Sequence, residues 1–216
     1  MEREEALAKL NNLRGVDLRP LAEQYEITVW KGEKVNKGWA GHVIERYLGL
    51  ALNSSRSPNF GSWELKVVPL IRRKQDVLAV KETMAITMLD PVEVAAKEFE
   101  DSHLFNKLKK MVVVSRIFES KSENSSIVHA VATFDLNNSV IYDQVKADYD
   151  FIREAIRTSG FGALTGRMGV LVQPRTKGAG HGSTSRAFYA RTGFVAHILN
   201  INRLPFMPPA VSGEEP

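Results

Sequence analysis

Apolar residues along this chain follow two rhythms, one near 3.6 residues and one of two, and the changes between them lay out the elements. Ala6, Leu7, Leu10 and Leu13 predict a helix over Glu2–Leu13 that Gly15 ends, and Asp17 predicts the cap of a second helical segment to about Tyr25. The basic, polar stretch Thr28–Asn36 reads as a connection into an amphipathic helix, in which Trp39, Val43, Ile44, Tyr47 and Leu48 are apolar and Trp39 is assigned to packing. Glu64–Leu70 and Asp76–Leu89 alternate as strands, with a hairpin turn around Arg72–Gln75 and antiparallel pairing. Asp90-Pro91 opens a helix running through Val92–Phe99, with proline at its first position. Strands are predicted at Met111–Phe118 and Ser126–Leu136, a long helix at Val140–Thr158, a strand at Met168–Val172 after glycines 160, 162 and 166, and a last helix at Thr192–Leu199. The proline-rich tail after Pro205 is expected to be loosely ordered. Strands interleaved with helices make this a mixed α/β chain.

Composition narrows the class. With 216 residues, 44% of them hydrophobic, the chain suits one globular domain over 1–216, or two lobes sharing a core. It contains no apolar run long enough for a bilayer and no signal-peptide pattern, so a cytoplasmic protein without membrane contact is expected. Zero cysteines exclude disulfides and thiolate metal sites, and the five histidines show no zinc spacing. A net charge of +4 agrees with a polyanionic partner without requiring one.

Two stretches carry candidate chemistry. In the first, strand alternation puts Glu64 and Lys66 on one face and Trp63 and Leu65 on the other, with Glu45 free to approach from the preceding helix. Carboxylates with a neighbouring ammonium suit phosphodiester hydrolysis: magnesium takes one or two carboxylates plus water and substrate phosphate, and a lysine can orient the water. By itself Glu-x-Lys says little, since it arises by chance roughly once in a chain of this length. The second stretch is Gln173–Leu199, where glycines 178, 180 and 182 with Ser183, Thr184 and Ser185 form a donor-rich loop flanked by Arg175, Lys177 and Arg186. Such a loop can meet phosphate oxygens or enter a groove. The basic end Lys107-Leu108-Lys109-Lys110 fits a helix C-terminus, whereas Asp143, Asp148, Asp150 and Glu154 make the long helix scaffold rather than a DNA face.

The motifs KGWAGHVIERYLG (37–49) and PNFGSWELK (58–66) resemble the MutH-type mismatch-repair nicking endonucleases and the sister restriction enzymes that cut at GATC. The resemblance covers about residues 34–200. It implies a PD-(D/E)xK restriction-endonuclease-like core, a mixed sheet flanked by helices, with two lobes around a DNA cleft. Catalytic motifs would span 37–110, and a DNA-reading C-terminal lobe would span about 160–204. It further implies Mg2+ held by Glu45, residue 59, Glu64 and Leu65, with Lys66 positioning the water and Lys107 assisting. Arg175-Thr176-Lys177-Gly178 and Phe188-Tyr189 match its DNA-contacting stretches, which makes Arg175, Lys177, Arg186 and Tyr189 candidates for double-stranded DNA recognition. Asn59 departs from the pattern, standing where the family has its metal-binding aspartate. An engineered inactivating substitution is favoured, because Pro58 and Phe60 match on both sides. A natural weakened variant, or another acid such as Asp76 or Glu82, are the alternatives. The resemblance leaves two roles: a type II restriction enzyme, slightly favoured and able to cut both strands as a homodimer, or a mismatch-repair nickase working with a MutL-type partner. A DNA-binding module without catalysis, or an RNA-directed relative, would be the other classes.

Overall fold

The structure is a computed structural model that describes residues 1–50, 58–177, 185–202 and 204. The glycine-rich loop 178–184 and the tail after Pro205, both singled out above, lie outside the described residues.

Two β-sheets organise the chain. The first is built from β3 (Glu64–Arg72), β4 (Leu78–Val80), β6 (Lys110–Ile117) and β7 (Val128–Asp135), in the order β4-β3-β6-β7. Its central pair, β3 and β6, is parallel, with Glu64 opposite Met111 and Lys66 opposite Val113. Both outer pairs are antiparallel. The central strand β6 is buried almost throughout, as its run Met-Val-Val-Val requires. The second sheet, β5 (Met84–Leu89), β9 (Arg186–Ala190) and β8 (Val172–Thr176), is wholly antiparallel in the order β5-β9-β8.

Alternation along β3 divides the interior in two. Trp63 and Leu65 join a core with α1 (Arg3–Asn11), α2 (Leu18–Gln24) and α3 (Trp39–Tyr47), whereas Val68 and Leu70 point into a larger core on the opposite face. That larger core is closed by the second sheet with α4 (Pro91–Ala96), α5 (His103–Leu108), α6 (Ser139–Ser159) and α7 (Thr192–Ile198). Trp39 is fully buried between the guanidinium groups of Arg19 and Arg116, a packing role. The capping residues behave as their types demand: Asp17, Asp90 and Ser102 each accept from main-chain N–H groups at a helix start.

Four expectations need correction. The stretch predicted as one strand over Asp76–Leu89 is two: β4 pairs with β3 only at residues 70–72, and after Lys81–Thr83 the chain crosses to the second sheet as β5. The N-terminal part of β3, with Glu64 and Lys66, therefore has no β4 partner and faces the other sheet. The supposed connection Thr28–Asn36 contains a small hairpin, β1 (Trp30–Lys31) with β2 (Lys34–Val35). The helix after Pro91 ends at Ala96, where Lys97 turns extended. The predicted strand Met168–Val172 starts only at Val172, because the residues before it wrap around Asp148.

Candidate active site

Three elements converge at the N-terminal end of β3. Helix α3 brings Glu45, on the flank of an apolar stripe that anchors it through Trp39, Ala40, Val43 and Ile44. The turn Pro58–Ser62 brings Asn59; Gly61 adopts φ +76°, and Phe60 stacks on Trp63 with centroids 3.9 Å apart, pinning the turn to the strand. Helix α5, bonded at its start by the Ser102 hydroxyl, brings Lys107 inward while Asn106 and Lys109 face out.

Glu64 is the hub. It is 1% exposed, and burying a carboxylate costs several kcal/mol unless it is paired. Lys66 Nζ lies 2.7 Å and Lys107 Nζ 3.1 Å from Glu64 Oε1, so one oxygen receives two ammonium groups. The other oxygen, Oε2, accepts from the Asn59 main-chain N–H at 3.0 Å. The Asn59 side chain turns the other way, its Nδ2 donating to Glu45 Oε1 at 2.9 Å. Glu45, Asn59, Glu64, Lys66 and Lys107 thus form one connected group.

Its electrostatics are unbalanced around Glu45. Burial pushes that carboxyl above the ordinary glutamate range, and the positive charges of His42 and Lys66 only partly offset this. Burial likewise lowers the Lys107 ammonium, with Glu64 opposing the shift and Lys66 and Lys177 adding to it. Asn59 Oδ1 is buried and has no hydrogen-bond partner. An orphaned amide oxygen beside a desolvated carboxylate and the buried Glu64 is a set of hard oxygen donors, and those residues fit a divalent cation such as Mg2+. Among the described residues no group of three acids or histidines is arranged to hold a metal. The neutral amide at position 59 leaves two carboxylates here. Asp76 and Glu82 do not supply a third: Asp76 is exposed and paired with Arg72 at 2.8 Å beyond the far end of β3, and Glu82 is exposed beside Lys81.

The four candidate DNA-contacting residues do not form one surface. Arg175 and Tyr189 share the face of the second sheet turned away from the larger core, the guanidinium 5.8 Å from the ring centroid and Arg175 Nη1 2.8 Å from Thr83 Oγ1. Arg186, three residues before Tyr189, falls on the opposite face by alternation, against Phe161 and the Gly162 carbonyl. Partial burial of its ammonium and the charge of Lys66 hold Lys177 below the ordinary lysine range. One contributor is invisible in the sequence: the Ile86 carbonyl, which accepts from Lys66 Nζ at 3.3 Å. Beside the site, Pro58, Gly61, Ser62, His103, Asn106, Lys109 and Lys110 line an open cavity of about 540 Å³.

Comparison with known proteins adds a second line. The family model described as the DNA mismatch repair enzyme MutH matches residues 48–147. A DNA mismatch repair protein MutH of Shewanella sp. (strain MR-4) is 27% identical over 214 residues, covering 91% of this chain and 93% of that protein. Its namesake in Haemophilus influenzae (strain PittEE) is 26% identical over 214 residues, covering 91% and 94%. The chain is similar to the MutH-type mismatch-repair proteins. Asn59, Glu64, Lys66 and Lys107 lie inside the segment matched by the MutH model, and Glu45 lies three residues before it. Among solved structures, the restriction endonuclease MvaI in complex with its cognate DNA substrate overlays at a TM-score of 0.35 with 11% identity, covering 84% of this chain and 95% of that one. No helix of the described residues is long and apolar enough to cross a membrane.

Proposed function

We propose that this MutH-type chain is a Mg2+-dependent DNA endonuclease whose target contains GATC and whose cleavage is weakened by Asn59. The observation that carries the reading is the Glu45–Asn59–Glu64 cluster with two lysines on one buried carboxylate oxygen. Bound among the oxygens of Glu45, Asn59, Glu64 and Leu65, Mg2+ would supply charge neutralisation at the phosphate and a more acidic water. The chain's own groups do the rest. Glu64 holds Lys66 and Lys107 in place, and Lys66 keeps a donor for the attacking water or a phosphate oxygen. Lys107 adds positive charge where negative charge develops. Arg175 and Tyr189 offer a donor pair, on the face of the second sheet turned away from the larger core, for base edges or phosphates.

Of the two biological roles, nicking in mismatch repair, with a MutL-type partner, is better supported than type II restriction with a homodimer: the similar proteins are named for mismatch repair. Both roles place the protein in the cytoplasm with the chromosome. The test uses the Asn59→Asp chain on plasmids with and without adenine methylation at GATC, followed by mapping of the ends. Single-strand breaks 5′ or 3′ of GATC are expected; double-strand ends at each site would favour restriction, and breaks unrelated to GATC would refute the target.

A further inference from the structure

Trp39 opens α3, the helix that carries Glu45, and is 0% exposed. Two guanidinium groups lie against its ring, that of Arg19 on α2 at 5.8 Å from the centroid and that of Arg116 on β6 at 5.3 Å. Their charges are met differently. Arg116 is neutralised by Glu123, Nη1 lying 2.7 Å from Oε2 and Nη2 3.1 Å from Oε1, and Nη1 also reaches the Ser126 hydroxyl at 3.0 Å. Arg19 belongs to no ion pair among the described residues. Asp17, two residues before it, uses Oδ1 to accept from the main-chain N–H groups of Arg19 and Ser126. Arg19 Nε and Trp39 Nε1 are both buried, and neither has a hydrogen-bond partner among the described residues. An indole nitrogen and a guanidinium can only donate, so neither can satisfy the other. Interiors rarely leave buried donors unmet, and an acceptor shared by these two would complete both. A negatively charged acceptor would also answer the uncompensated Arg19 charge.

We propose that Arg19 Nε and Trp39 Nε1 form a binding site for a small monovalent anion of halide size, chloride being the physiological example, and that this ion ties α2 to the start of α3. Arg116 also lines an open cleft of about 280 Å³ together with Lys37, Lys121 and Glu33, so the stack borders solvent. The full burial of Trp39 keeps out a phosphate carried on a polymer, which leaves a free ion as the ligand. The site goes beyond the endonuclease reading and stands on α2 and α3 alone.

The chain has three tryptophans, and two of them act as internal controls. Trp30 and Trp63 donate their indole N–H groups to the Ser122 and Met1 carbonyls, each at 3.2 Å. In nitrogen-15-labelled full-length protein without DNA or divalent metal, chloride is exchanged for gluconate at constant ionic strength while the three assigned indole cross-peaks are followed. The Trp39 cross-peak should shift and saturate, and those of Trp30 and Trp63 should hold still. Bromide should reproduce the shift; sulfate, larger and doubly charged, should not. Arg19→Gln should weaken the chloride response at least about tenfold, the scale of one charge-assisted hydrogen bond, and Arg19→Lys should keep part of it. A Trp39 cross-peak indifferent to chloride, or drifting without saturation alongside the other two, means that water alone completes the pair and overturns the proposal. So does a response that sulfate reproduces in full, or an Arg19→Gln chain, folded by circular dichroism, that responds as the parent does. The parent titration decides the matter if Arg19→Gln does not fold.

Discussion

Glu64 offers a single carboxylate oxygen to two ammonium groups, an arrangement that can be taken apart one lysine at a time. Lys66→Met or Lys107→Met alone leaves the other ammonium within about 3 Å of that oxygen. Both together leave a carboxylate 1% exposed with no cation, a loss on the order of 3–5 kcal/mol. Urea unfolding should therefore give a double-mutant cost well above the sum of the singles; additive costs would mean the lysines do not share Glu64. Glu45 supplies a pH test. Its folded-state pKa is raised, chiefly by burial, so it takes up a proton at higher pH than an exposed glutamate at about 4.3. Cation binding needs the ionised form, so affinity for Mn2+, followed by water-proton relaxation, should be full above the raised pKa. It should start to fall on acidification before an ordinary glutamate would titrate, and Glu45→Gln should flatten the profile. At this scale the sequence was most legible: Glu45, Glu64, Lys66 and Lys107 stand in one connected group, as their motifs implied. What it could not display was direction, because Arg186 and Tyr189 are separated only by the parity of their positions on β9.

Among the elements, β8 owes its start to a buried acid. Asp148 on α6 is 3% exposed and accepts the main-chain N–H groups of Val170, Leu171 and Val172 at 2.7–2.8 Å. Gly169 permits the wrap: its φ is +75°, and a Cβ there would sit 1.9 Å from the Val172 carbonyl oxygen. Asp148→Ala should cost at least about 2 kcal/mol, since three buried donors lose their acceptor. It should also weaken binding of a GATC duplex while leaving Mn2+ affinity nearly unchanged, because β8 carries Arg175 but none of the oxygen donors. Equal losses of both would contradict this division of labour. Asp148 of α6 serves the scaffold, yet the strand expected at Met168–Val172 was misplaced. Alternation near a glycine does not reveal that the local N–H groups are claimed by a side chain some twenty residues earlier, rather than by a neighbouring strand.

For the molecule as a whole, the candidate site lies where two sheets meet, and this was the least legible level. One alternating run, Asp76–Leu89, serves both sheets, and only the tertiary partners of β4 and β5 reveal the break. The basic charge is also placed rather than diffuse: Lys109 and Lys110 line the cavity beside the Pro58–Ser62 turn. If that cavity follows the DNA backbone, Lys110→Ala should lower the slope of log affinity against log salt by about 0.9, the value for one lost phosphate contact. An unchanged slope, measured by anisotropy without divalent metal, would assign Lys110 to solvent.

The central claim is that residues 45, 59, 64 and 66 form a metal-dependent phosphodiesterase centre held back by one missing charge. Cleavage of a GATC-containing plasmid by the parent chain, Asn59→Asp, and Asn59→Asp with Glu64→Gln, each with Mg2+ or EDTA, measures it directly. The account predicts a gain of roughly 100-fold or more for Asn59→Asp, the scale of one charge-stabilising group. That gain should be seen only with Mg2+ and be abolished by Glu64→Gln. Equal rates for the parent and Asn59→Asp chains, or cleavage that survives EDTA, would contradict it.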